Sequence, residues 1–257
     1  MRCPALRSLV GCRWIGVLLL ALLTACAAVP GKRDARDPWE RMNRATYRFN
    51  DGLDRAIVKP VAKGYKKVVP RPLRMGVANV LGNAGYTTTI ANDLLQAKFR
   101  AFASDTGRFL FNSTFGLAGL MDPATEVGLP KNDEDFGQTL GRWGMKPGPF
   151  LVLPFLGPST LRDTVGLYPD RQTDLKSLPA DLWVRVGLNG LYLLGKRVEL
   201  LSAADVLANT YDPYGFVRNA YLQHREYEVR DGDVPETPLD DAPFDDETAD
   251  PPGTPSQ

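Results

Sequence analysis

Residues 136–163 read FGQTLGRWGMKPGPFLVLPFLGPSTLRD, and the fold of the whole chain turns on how this stretch is read. Between Gly137 and Pro158 five glycines and four prolines fall within 22 residues, a density that predicts no regular element running through it. The stretch is nevertheless greasy. Its only charges up to Pro158 are Arg142 and Lys146, and Phe150, Leu151, Val152, Leu153, Phe155 and Leu156 form an apolar run broken by Pro154. Loops normally lie in water and are polar. An apolar, helix-breaking segment either crosses a protein core or faces something apolar that is not protein.

Downstream, Leu182 to Leu194 is almost wholly apolar, interrupted by Arg185 and Asn189. As a helix it reaches only about 20 Å, too short for a bilayer of about 30 Å, so it reads as a buried helix or one dipping into a single leaflet. Asp212-Pro213 opens a last helix through about Glu228. From Asp231 six prolines and nine acids, with almost no apolar residues, predict a disordered tail over 231–257. Upstream, 98–115 carries a helical pattern with Phe99, Phe102, Thr106, Phe109, Leu110 and Ser113 along one stripe. Leu73–Gly82 and Tyr86–Ala97 read as two short helices parted by Gly82 and Gly85, after an irregular linker bracketed by Pro60, Pro70 and Pro72. The mature domain opens on a helix signal: Asp37 as cap, Pro38 in the first turn and Glu40 three residues after the cap. Along that helix Trp39, Met42, Thr46, Phe49, Leu53 and Ile57 share one face, with Arg41, Arg44, Arg48 and Arg55 opposite. Such a face packs on a core or lies at a bilayer interface. Strand-like alternation is scarce, so the fold class is mainly α.

The amino terminus sets the compartment. Residues 1–25 combine Arg2, Arg7 and Arg13 with an apolar run of ten residues, Trp14–Leu23, which reads as an export signal. It ends in Leu23-Thr24-Ala25-Cys26, similar to a bacterial lipobox. Cys3 and Cys12 leave with the signal, so Cys26 has no disulfide partner and acylation is its natural use. Ala27 in place of Asp after the cysteine points to the outer membrane, and 26–36 reads as a polar tether. The body of the chain, 26–230, holds 28 basic and 21 acidic residues, a net of +7. That excess suits anionic head groups or an acidic partner, and it is too dilute for nucleic acid.

Four segments in this order, DPWERMNRATYRFND at 37–51, GRFLFNSTFGLAGLMD at 107–122, the stretch at 136–163 and DPYGFVRNAYLQ at 212–223, resemble the MlaA (VacJ) family of outer-membrane lipoproteins. The resemblance implies a helical, ring-like domain over 37–230, lying in the inner leaflet of the outer membrane. An amphipathic channel through the ring would pass phospholipid from the outer leaflet toward a periplasmic lipid carrier and so maintain lipid asymmetry. Association with trimeric porins is implied as well. On this reading Phe150, Leu151, Leu153 and Phe155 line the channel or touch lipid, and Gly137, Gly141, Gly144 and Gly148 allow the loop to move. Trp39, Met42, Phe49, Asn50, Asp51 and Leu53 belong to a gating helix at the leaflet interface, and Cys26 carries the lipid anchor.

Two other function classes compete. A lipid hydrolase would need a nucleophile and a base. Gly157-Pro158-Ser159-Thr160 is not a nucleophile elbow, and the only histidine, His224, sits in the charged run HREYE. One histidine and no free mature cysteine leave no usual zinc constellation and imply no cofactor. A structural lipoprotein that merely tethers or stabilises a porin is the other alternative, and it has no use for the apolar run at 150–156.

Overall fold

The computed structural model describes residues 34–202 and 210–233. The expected signal peptide, Cys26, nearly all of the tether and the tail beyond Asp233 lie outside them. Helix α1 (Glu40–Leu53) passes through a π-helical turn (Asp54–Val58) directly into α2 (Lys59–Val68). The linker expected around Pro60 is therefore helical. Pro60 sits in the first turn of α2, and the wider π turn before it lets the rod continue past a residue that cannot donate. After Val69-Pro70, α3 (Arg71–Leu95) is one helix of 25 residues where two short ones were expected. Gly85 serves close packing instead of breaking the helix: a Cβ there would come within 2.2 Å of Lys176 Nζ, while Gly82 has open space around it. Then come α4 (Phe99–Thr114), the short α5 (Pro123–Glu126) and α6 (Phe136–Arg142).

The decisive stretch is more regular than its composition suggests. It opens on α6, whose N-cap Asp135 accepts from Gln138 N at 2.9 Å. It continues as an antiparallel hairpin, β1 (Phe150–Leu153) and β2 (Gly157–Thr160), with Phe150 opposite Thr160 and Leu153 opposite Gly157. Pro154 and Pro158 fall where a two-stranded ribbon tolerates them, in the turn and on an edge. Thr160 caps α7 (Leu161–Thr173), a short 3₁₀ turn (Leu175–Ser177) follows, and α8 (Leu182–Glu199) and α9 (Pro213–Val229) complete the described chain.

These elements close a circuit. α1 packs on β1, β2 on α7, α7 on α3, α3 on α8 and α8 on α2, and α2 is continuous with α1. A small apolar core of Phe150, Val152 and Tyr214, flanked by Tyr47, Tyr221 and Leu222, sits at one point of the ring beneath the hairpin. Elsewhere the buried side chains are mainly polar, while large apolar ones such as Met42, Phe99, Phe115, Leu117 and Trp183 stand exposed. No helix among the described residues is long and apolar enough to cross a membrane.

Candidate functional site

A cavity of about 960 Å³ lies on the α3, α7 and α8 side of this circuit. Helix α8 gives it one wall. Leu182, Arg185, Val186, Asn189, Tyr192, Leu193, Lys196 and Glu199 all face it, spaced three and four apart as one helical face requires. Along that face apolar and polar side chains alternate. Asn79, Asn83, Thr88 and Thr89 of α3, Arg108 and Asn112 of α4, Leu167, Tyr168, Asp170 and Arg171 of α7, the loop 131–135 and Leu156 of the hairpin add to the lining. Lys176, buried, pairs with Asp174 at 2.9 Å and lies 4.8 Å from the Tyr192 ring. The Nε of Arg185 is buried without a hydrogen-bond partner among the described residues.

Two carboxyls that line the cavity are pushed upward. Burial, then the neighbouring Asp135, pushes Asp170 up to about 6, although Phe136 N (2.9 Å) and Asn92 Nδ2 (3.2 Å) donate to it. Asp133 is raised by the same two causes in the same order. Behind the cavity, between α3 and α4, Asp93 is fully buried and is raised by burial and then by Asp105.

The hairpin is gripped from outside the sheet by α1. Asn43 Nδ2 donates to Phe150 O at 2.9 Å, and its Oδ1 accepts from Val152 N at 2.9 Å. One heptad further on, Asn50 repeats the pattern: Nδ2 donates to Leu153 O and Oδ1 accepts from Phe155 N, both at 2.9 Å. Two side-chain amides thus satisfy the free edge of β1, which is also joined by Arg36 O accepting from Phe150 N at 2.8 Å. Phe155, at the tip, holds a left-handed φ of 66° and packs edge-on against Phe49 with centroids 5.4 Å apart.

Asp37 is not a helix cap. It is buried, accepts from Asn43 Nδ2 at 2.8 Å and from the Tyr214 hydroxyl, and faces Arg218 at 3.3 Å. Arg44 reaches both oxygens of Asp212 at 2.9 Å and lies over the Tyr214 ring. Tyr221 OH donates to Asp163 at 2.9 Å, and Arg225 bridges Asp135 and Asp163. Burial opposes ionisation of Asp163, but Arg225, Thr160 and Arg162 outweigh it and hold the carboxyl below its usual range. The segments at 37–51, 136–163 and 212–223 are therefore one interlocked junction.

Placement of the expected site residues is uneven. Phe150, expected at the lipid path, is buried in the core, because β1 alternates and its inward positions are Phe150 and Val152. Leu151 and Leu153 are half-buried and do not line the cavity, whereas Leu156 does. Trp39, Met42 and Phe49 are exposed, Leu53 is half-buried, Asp51 pairs with Arg55 at 2.9 Å, and Asn50 holds the hairpin. Gly137 is no hinge. A Cβ there would meet Asp163 Oδ1 at 2.5 Å, and one at Gly166 would meet Gly137 N at 2.6 Å, so this pair lets α6 and α7 touch. Asn43, Tyr214 and Arg225 escaped the sequence reading. The seven-residue spacing of Asn43 and Asn50, two side-chain amides on one helix, was the available signal.

A family model described as MlaA lipoprotein matches residues 35–228. The intermembrane phospholipid transport system lipoprotein MlaA of Escherichia coli K12 is 33% identical over 224 residues, covering 83% of this chain and 86% of that protein. The protein of the same description from Haemophilus influenzae is 30% identical over 228 residues, covering 84% and 89%. A solved chain described under "Structural basis for maintenance of bacterial outer membrane lipid asymmetry" superposes with a TM-score of 0.70 at 32% identity, over 77% of this chain and all of that one. With the model and the relatives spanning the ring and its junction alike, the chain belongs to the MlaA lipoprotein family.

Proposed function

We propose that this chain is an outer-membrane lipoprotein, anchored through Cys26 on the periplasmic face. It takes phospholipid mislocalised in the outer leaflet through its ring to a periplasmic carrier of the Mla pathway, beside a trimeric porin. The observation that carries the reading is the lining of the cavity. One face of α8 offers Leu182, Val186 and Leu193 to acyl chains and Arg185, Asn189 and Lys196 to a head group. Exposed apolar residues on the outer surface, among them Met42, Phe115 and Leu117, suit the ring to an apolar surrounding. The task needs a path and no catalyst. Moving about 30 CH₂ groups into water costs about 24 kcal/mol at about 0.8 each, a barrier crossed on the order of 10⁻⁵ times per second. A continuous apolar path removes most of that barrier. His224, the base a hydrolase would require, is exposed on α9 beside Glu228 at 3.2 Å and does not line the cavity.

The test is a deletion strain scored for surface-exposed phospholipid by external phospholipase digestion. It is complemented with the wild type and with Val186→Trp and Leu193→Trp, which narrow the cavity. Wild type should clear the outer leaflet without accumulating lysophospholipid, and the narrowed variants should be present at normal abundance yet fail. Full complementation by both would overturn the reading.

A further inference from the structure

Two carboxyls with no exposed surface meet where α3 packs on α4: Asp93 and Asp105. They are unequally served. Asp105 accepts from the Tyr86 hydroxyl at 2.9 Å and from Asn132 Nδ2, at 3.2 Å through one oxygen and at 3.0 Å through the other. Neither oxygen of Asp93 has a donor among the described residues, and the group within its hydrogen-bond reach is Asp105. A carboxylate buried without a donor is among the costliest groups a fold can hold. One proton answers both needs. Asp93 as the acid donates to Asp105, whose other donors favour its staying the charged acceptor.

The cations nearby are already committed. Lys98, in the turn between α3 and α4, is shared by Glu134 at 2.7 Å and by Asp231. Arg108 of α4 is taken by Asp122, Thr125 Oγ1 and Leu129 O. Glu134 brings a further negative charge from the loop 131–135, and Tyr86, the titratable neighbour on α3, is spent as a donor. Burial first, then Asp105 and Glu134, raise the Asp93 carboxyl, and Lys98 only partly offsets them. The loop ties this cluster to the cavity, since residues 131–135 line the cavity and are fastened to the cluster as well. Asn132 N donates to the Tyr86 oxygen at 3.1 Å, and Glu134 accepts from Gln96 Nε2 at 2.8 Å and from Lys98.

We propose that Asp93 and Asp105 share a single proton, and that this proton latches the loop 131–135 to α3 and α4. When it leaves to water, two carboxylates face each other where no cation is spare. Relief requires hydration, and the loop bonded to Asp105 and Tyr86 gives way to admit it, which loosens one wall of the cavity. Between the ordinary carboxyl value, 3.8, and the raised one, about 8, the folded chain binds more protons than the unfolded chain. Stability from Asp93 is therefore full below the first value and declines as pH rises through the second. The latch stands on these contacts whether or not the cavity conducts lipid.

The wild-type mature chain in detergent at neutral pH should show an infrared carbonyl stretch of a protonated carboxylic acid that is missing from Asp93→Asn. That band should disappear from the wild type as pH rises past about 8. Over the same rise, hydrogen-exchange protection at 131–135, corrected for the intrinsic rate at each pH, should fall about tenfold or more relative to α9. In Asp93→Asn, whose amide donates to Asp105 in the proton's place, protection should stay level. A wild type without the acid band at neutral pH would overturn the proposal, even if the variant failed to fold. So would protection that falls equally in Asp93→Asn. Protection restored at high pH by millimolar calcium, in a chain with no acid band at neutral pH, would overturn it too and mark a cation seat.

Discussion

Asn50 gives both its amide atoms to the hairpin, donating to Leu153 O and accepting from Phe155 N. Asn50→Ala removes both of these bonds at a half-buried edge, and should destabilise the fold by about 1–3 kcal/mol. Thermal melts in detergent should show the loss, and hydrogen exchange should show faster opening at 150–157 than elsewhere. Asn50→Asp should not rescue it, since a carboxylate cannot donate to Leu153 O. Asp170 yields a prediction with a definite sign. Its folded-state value, about 6, lies above the ordinary 3.8, so between those values the folded chain binds more protons than the unfolded one. Stability from this group is therefore greatest below about 4 and declines as pH rises through about 6. In Asp170→Asn, melting temperature plotted against pH should be flatter over that window than in the wild type. A profile unchanged by the substitution would mean the carboxyl is not held high.

At the scale of elements, legibility followed local signals. α1 and α4 were readable because their apolar positions repeat at helical spacing, α9 from its Asp212-Pro213 start, and α8 as an apolar run, although it extends to Glu199. α3 was split in the reading because Gly82 and Gly85 look like breakers, and no sequence rule reveals that Gly85 makes room for Lys176. The hairpin was hidden for a related reason. Its free edge is completed by asparagines about a hundred residues away, and its inward face holds only Phe150 and Val152. That alternation sorts the apolar run by experiment. Val152→Asp should unfold the junction. Phe155→Asp, at an exposed tip, should leave the melting temperature nearly unchanged while lowering transport, if the tip meets lipid as proposed. The α1 rod carries a sharper test. Deleting one residue between Phe49 and Asp51 turns everything beyond it by about 100°, spoiling the heptad that sets Asn43 and Asn50 on β1. The expected outcome is misdirected lipid flow, with detergent sensitivity even beside a wild-type copy. A recessive phenotype matching the deletion strain would reduce the helix to scaffold.

At the scale of the whole molecule, the burial pattern among the described residues is reversed from that of a water-soluble domain: polar networks inside, large apolar side chains outside, and one small apolar core. The outer surface gives no cohesive force in an apolar surrounding, so the ring must be held by polar contacts between distant elements. The closure between the α1–α2 rod and α8 shows this most directly. Asp54, in the π turn, accepts from Arg197 Nε at 2.7 Å and from Nη2 at 2.9 Å across 143 positions of sequence. Arg197 depresses the Asp54 carboxyl through those hydrogen bonds, against the cost of burial. Arg197→Asp sets two carboxylates against each other at the closure, and Asp54→Arg sets two guanidiniums. Either change should open the ring there, and each should lower transport while leaving the Phe150–Tyr214 core folded. The double swap restores an ion pair of the same two groups and should recover most of the lost activity, a coupling that additive effects cannot produce. Near-ultraviolet circular dichroism would report the core, and a spin-label distance between α2 and α8 would report the closure. If both single variants transport normally while that distance widens, the ring need not be closed for lipid to pass.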